Sequence, residues 1–291
     1  MPPPEASPPI TIRPLTTVDE YRACQEIQRR AWGITEDGYV VPVATMISVQ
    51  HAGGLVLGAF AGERLAGFAF GYLGRVRGRW VLYSQLTGVD PTVQDRGVGG
   101  RLKLGQRAWA KSQGLDLVAW SFDPLQAGNA NFNLHRLGAF SRTYEVNYFG
   151  ERTDALNVGL DTDRLLVEWP VEDTPRAWQQ NGEARDLVAT EWTADRRCRP
   201  QHLAGSPEHA AGCAELRLDI PPDITALKAR DPDLARAWQH AVRDAFRRAF
   251  AAGYVAMDFR RERAGGRTSY ILRRPAGPLL PWEESGHAQL G

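Results

Sequence analysis

The chain has 291 residues, 43% of them hydrophobic and 24% charged, which is material for one large domain or two smaller cores. A formal net charge of +1 argues against a general attraction to nucleic acid or to an anionic membrane. Three cysteines, Cys24, Cys198 and Cys213, are too few and too irregular for a disulfide framework or a metal knuckle, so a reducing cytoplasmic setting with no metal is expected.

The opening MPPPEASPPITIRP has Pro and polar residues where a secretion signal needs a basic start and an apolar run, and residues 1–9 read as a disordered tail. No later stretch is apolar enough for a membrane span. Thr17 and Glu20 form a capping-box pair ahead of Val18, Tyr21, Cys24, Ile27 and Ala31, which recur at helical spacing. A short second helix is expected over Val43 to His51. LVLGAF and LAGFAFGYL around AGER then read as a hairpin, and residues 80–89 as a long third strand. Asp90-Pro91 ends that strand, and a glycine-rich turn leads into VGGRLKLGQRAWAKS, where Val98, Leu102 and Trp109 share a helical face. Strand 115–121, a helix over about Asn129 to Leu137, and strands 142–149 and 164–169 follow, so elements alternate around one mixed sheet.

Past Pro170 the texture loses any sustained period, and 171–212 reads as an irregular connection with a boundary near residue 170. Residues 213–275 then read as a smaller β-α-β-β extension: ELRLDI, a helix opened by Asp231-Pro232 and closed by Gly253, and a hairpin across AGGR. Residues 276–291 form a tail. The order of elements in 115–169 is the same, a faint internal echo.

The stretch with chemical content is VDPTVQDRGVGGRL, residues 89–102. Its small residues let backbone approach a ligand, and the amides at the helix start, with the positive end of the dipole, suit a pyrophosphate. A P-loop would need Lys-Ser/Thr after the second glycine, where Gly99 is followed by Gly100-Arg101; a dinucleotide fingerprint would need a small residue where Lys103 stands.

Val89, Pro91, Gln94, Gly97 and Gly99 stand at the spacing V-x-P-x-x-[Q/R]-x-x-G-x-G, and in this the chain resembles the GNAT acyltransferases over roughly residues 10–170. The resemblance implies an α/β (α+β) fold with a mixed central sheet flanked by helices, and acetyl-CoA or succinyl-CoA as co-substrate. It implies that Val89 pairs its backbone with the pantetheine chain. The amides of Gln94, Asp95, Arg96, Gly97, Val98, Gly99, Gly100, Arg101 and Leu102 would hold the pyrophosphate, with Arg96 and Arg101 able to add charge. An Asn near the start of the next helix touches the pantetheine in the family; Asn129, Asn131 and Asn133 are the candidates here, with a cap or turn role the alternative for each.

Most members carry a Tyr four residues before the Gly of a Gly-Phe pair, as acid for the departing thiolate. Counting back from Gly138 gives Leu134, and Ala139 intrudes before Phe140. Other groups therefore come under consideration. Ser84, in the polar triplet Tyr83-Ser84-Gln85, stands near where the family places a base, with a satisfied sheet hydroxyl as the alternative. Tyr144 is preferred to Tyr148 as the acid, with a core Tyr as the alternative. His51 and His135 are ambiguous surface positions. No cysteine lies in a Cys/His setting, so direct transfer in a ternary complex is expected. The expected acceptor is the amine of a small molecule, an amino acid first. An aminoglycoside or polyamine, met by Glu36-Asp37, comes second, and a non-catalytic CoA-binding module is the third reading. No nucleic-acid or membrane partner is expected; a homodimer is compatible with the sequence but not dictated by it.

Overall fold

The computed structural model describes residues 9–152, 159–173, 176–179, 184–192, 198–202, 213–262 and 267–283. Most of the expected N-terminal tail and residues 284–291 of the expected C-terminal one lie outside the described residues. The fold is mixed α/β and divides into two compact units. One holds the described residues up to Trp120, the other those from Ser121 onward.

In the first unit the strands β1 (Ile10–Pro14), β2 (Leu55–Ala61), β3 (Arg64–Val76), β4 (Arg79–Val89) and β5 (Leu117–Phe122) lie side by side in that order, with β5 running across the division. The first four are successively antiparallel, and β5 is parallel to β4. Strand β1 was not expected from the sequence: it is five residues long, ends at Pro14 and sits on the sheet edge, where a strand needs only one partner.

Helix α1 (Val18–Trp32) starts at the capping box, with the Thr17 hydroxyl accepting from the Glu20 N–H and the Glu20 carboxylate accepting from the Thr17 N–H. It ends at Gly33, whose φ of 62° closes the helix in the left-handed region. With α2 (Val43–His51) it covers one face of the sheet, burying Tyr21, Cys24, Ile27 and Met46 against Val56, Phe60, Phe68 and Phe70. Helix α3 (Val98–Ser112) covers the other face. A Cβ on Gly67 would meet Val98 and Leu102, whereas its strand neighbour Phe68 belongs to the α1 core, as side-chain alternation requires.

The second unit holds β6 (Phe140–Glu145), β7 (Arg164–Pro170), β8 (Ala184–Trp192), β9 (Cys198–His202), β10 (Glu215–Ile220), β11 (Val255–Arg261) and β12 (Thr268–Arg273), in the sheet order β7-β6-β11-β12-β10-β8-β9. Its helices are the single turn α4 (Ala127–Ala130), α5 (Ile224–Arg230) and α6 (Pro232–Ala251). Two expectations are corrected here. The stretch 171–212 is not merely an irregular connection, since it contributes β8 and β9; β8 pairs parallel to β10 and antiparallel to β9. The compact division falls after Trp120 rather than near residue 170, because β6 pairs with β7 on one side and, through Ser141 opposite Ala256, with β11 on the other. The hairpins β6-β7 and β11-β12 thus meet through their first strands.

Among the described residues no helix is long and apolar enough to cross a membrane, and no group of three or more His, Cys, Asp or Glu could hold a metal ion.

Candidate functional site

Strand β4 keeps its antiparallel partner β3 to its last residue, with Gly67 opposite Val89. Its parallel partner leaves much earlier: β5 pairs only at Leu82 opposite Val118 and Tyr83 opposite Ala119. From Ser84 to Val89 the second edge of β4 therefore has no strand on it among the described residues. A bulge at Gln85, where Phe70 faces Leu86 but Gly71 faces Ser84, marks the departure. An open strand edge of this length is a template for another extended chain to add to the sheet.

That open edge leads to the glycine turn. Asp90 accepts hydrogen bonds from Thr92 N and Oγ1 and pairs with Arg30 and Arg64, which fixes the start of the short 3-10 helix Pro91–Arg96. Burial alone would raise the Asp90 pKa, but the Thr92 bonds and the two guanidinium groups outweigh it and hold the carboxyl at about 2. Gly97, with a φ of 71°, then swings the chain into α3, whose N-terminus carries no side-chain cap. A Cβ on Gly99 would meet only Val89 Cγ2, at 3.8 Å, so the space beside it is open.

The expected pyrophosphate ligands are narrowed by this geometry. The Arg101 N–H bonds to Gly97 O at 3.2 Å, and Leu102 lies a further residue inside the helix, so neither offers a free amide. Leu102 and Val98 bury their side chains under the sheet, while Arg101 is exposed at the helix surface. The outward amides of α3 are those of Val98, Gly99 and Gly100. The side chains of Gln94, Asp95 and Arg96 lie outside the described residues.

Ser84 is 3% exposed and faces α3. Its hydroxyl donates to Gln106 Oε1 at 2.9 Å and accepts from Lys103 Nζ at 2.8 Å. The Lys103 ammonium also lies 3.8 Å from the centroid of the Trp120 ring. Burial pushes the Lys103 pKa down to about 7. Among the described residues, Gln106 Nε2 and Thr87 Oγ1 are buried without a hydrogen-bond partner. Sequence reasoning found Ser84 but not Lys103 or Gln106. On the opposite face, Tyr83 stacks on Tyr72 with ring centroids 5.5 Å apart, beside the exposed Gln85. Ser84 is thus committed to the α3 side, not to the side of α1 and α2, and its satisfied hydroxyl speaks against a role as base.

In the second unit, α4 continues directly into a π-helical turn, Asn131–Arg136, so the expected helix is distorted rather than regular. Asn129 is exposed, Asn131 half-buried, and Asn133 buried with no side-chain hydrogen bond among the described residues. Leu134 is core, and His135 is exposed, with Nδ1 2.9 Å from an oxygen of Asp258. Tyr144 is packed and hydrogen-bonded within the second unit. Its hydroxyl donates to Asp163 at 2.6 Å, its ring stacks on Phe246, and Arg243 clamps the same carboxylate. Burial first, and then the Asp163 charge, raise the phenol pKa far above its ordinary value, which makes it a poorer acid. Tyr148 is exposed beside Phe149. In the first unit, His51 is exposed.

No protein-family model and no curated protein matches the chain. Among solved structures it is similar to the ribosomal-protein-S18-alanine N-acetyltransferase from Escherichia coli, at 20% identity and a TM-score of 0.46, covering 57% of this chain and 97% of that one. It is also similar to an N-acetyltransferase from Staphylococcus aureus Mu50, at 15% identity and a TM-score of 0.46, covering 56% and 99%. A third likeness is to Ard1 from Thermoplasma volcanium, at 15% identity and a TM-score of 0.45, covering 56% and 99%.

Proposed function

We propose that the chain is an acyl-CoA-dependent N-acyltransferase that moves an acyl group, acetyl or succinyl, to the amine of a small molecule by direct transfer in a ternary complex. The observation that supports this reading is the open edge of β4 from Ser84 to Val89, ending at an uncapped helix N-terminus lined by Gly97, Gly99 and Gly100. The pantetheine arm carries two amides in an extended chain and so can add to that edge as a strand does. The pyrophosphate at its end meets the Val98, Gly99 and Gly100 amides, where a helix dipole favours negative charge. A neutral amine then attacks the thioester carbonyl, and backbone N–H groups of the β4 edge stabilise the oxyanion.

An amino acid remains the first acceptor class. An aminoglycoside site would call on Glu36 and Asp37, but Asp37 is already paired with Arg29 at 2.6 Å, which removes part of that acidic lining. The test has two parts. Calorimetry with CoA should give binding in the parent and a loss of at least about tenfold in Gly99→Val, whose side chain enters ligand space without touching the core. Unchanged affinity in the folded variant would displace the site. Thiol release from acetyl-CoA and succinyl-CoA against amino-acid and polyamine panels then names the acceptor, and binding without release from any pair would favour the non-catalytic module.

A further inference from the structure

We propose that Lys103 is the proton donor to the departing thiolate, an inference that rests on the acyl-CoA reading above. The residue stands at the fork of the sheet. Ser84, which accepts from its ammonium, is the first residue of β4 beyond the β5 pairing, and Trp120, whose ring the ammonium faces, is the first residue of β5 beyond it. From Val89 back to Ser84 is five strand residues, about 17 Å at a strand rise of about 3.3 Å. The pantetheine arm, roughly twelve bonds from phosphate ester to sulfur, spans about 14 Å when extended. Laid along β4 from the helix N-terminus, it brings the sulfur to within about one strand residue of Ser84, so that the sulfur and acyl carbon lie at the mouth of the fork.

A structural role alone is a poor account of this lysine. It is 4% exposed, and no carboxylate among the described residues pairs with it. An apolar side chain of similar length would fill the same space without the penalty of burying a charge. Lys103 uses one hydrogen on Ser84 and faces Trp120, and Gln106 Nε2 beside it is unpaired. The groups facing it are Ser84 from β4, Trp120 from β5 and Gln106 from its own helix. None of them titrates in the working range, and burial is the cause of its lowered pKa. An ammonium that titrates near neutrality is matched to proton donation at that pH.

The step balances as follows. The neutral amine nitrogen forms the C–N bond, and the tetrahedral oxyanion collapses. The C–S bond breaks with its electron pair on sulfur, and an Nζ proton of Lys103 moves to that sulfur. The nitrogen loses its surplus proton to water, and Lys103 regains one from water. The products are the amide and free CoA thiol.

The experiment measures CoA affinity by calorimetry and the single-turnover rate constant against pH for the parent, Lys103→Met and Lys103→Arg. The expected result is CoA affinity within about threefold of the parent in both variants, a rate constant lower by about a hundredfold, and loss of the alkaline limb near pH 7. Arg keeps the positive charge but does not release its proton, so it should fail as Met does. A CoA-binding variant that keeps the parent rate and limb, or a rescue by Arg, would overturn the proposal. Should Lys103→Met not fold, Lys103→Arg decides alone; a folded Lys103→Gln replaces it if Arg is too large for the site. Absence of CoA binding in the parent would instead remove the acyl-CoA reading, and this proposal with it.

Discussion

Asp90 shows how one side chain holds the ligand turn. It caps the 3-10 turn through Thr92 and ties Arg30 of α1 to Arg64 of β3. Both arginines are more than half exposed, so solvent screens them and the Thr92 bonds carry most of the effect. Asp90→Asn should destabilise the fold by about 1–3 kcal/mol at pH 7, measured by urea unfolding. The folded pKa is depressed, so this contribution is present above the unfolded value of about 3.9 and fades as pH falls toward 2. Lys103 shows the same direction of pH dependence at higher pH, although there it is the neutral form that the fold favours. Its folded pKa of about 7 lies below the unfolded value of about 10.4, so the unfolded chain binds the extra proton between them and parent stability rises across that window. The urea midpoint of Lys103→Met should show a smaller rise from pH 7 to pH 9, and an equal rise would mean that the ammonium is not desolvated in solution. Tyr144→Phe should leave turnover within about twofold while lowering stability by about 1–2 kcal/mol, since Asp163 keeps Arg243. A collapse of turnover with stability intact would return Tyr144 to the chemistry.

At the scale of the element, legibility followed local signals. The start of α1 was readable from Thr17 and Glu20, and the start of α3 from Gly97, because each is fixed by neighbours within a few residues. The helix near residue 130 was placed from the sequence, but its π winding was not legible there. A π turn bonds i to i+5, so positions past it are rotated from an α-helical count, and counting four back from Gly138 to Leu134 does not identify a face. Strands β8 and β9 were missed because ARDLVATEW lacks a clean alternation, and among its described side chains only Val188 is buried. Strand β8 is held by β10, which begins 23 residues after β8 ends, and β9 by β8. A chain ended after Pro170 would deprive β6 of β11, and the second unit's remaining residues should lose protection from hydrogen exchange at β6 and β7. Full protection of those amides in the shortened chain would contradict that pairing.

Taken as a whole, the molecule offers a linkage test of the proposed ligand. CoA at about a hundred times its dissociation constant should stabilise the folded state by about 2.7 kcal/mol, and Gly99→Val should abolish the shift. A thermal shift that survives in the variant would place the ligand elsewhere. The sequence by itself determined the order of most elements and the turn from Val89 to Leu102, because strand alternation, helix caps and a glycine in the left-handed region act over a few residues. It could also name Ser84 as an unusual polar residue in an apolar strand. Only the tertiary structure decided what Ser84 does. Lys103 and Gln106 lie 19 and 22 residues further along, and they meet it only when α3 packs across β4 and β5 turns away from it. In the same way, the burial that strips water from Lys103 and lowers its pKa, and the Asp163 that occupies the Tyr144 hydroxyl, depend on segments distant in sequence. Desolvation and pairing are properties of the packed neighbourhood, and no local pattern encodes them.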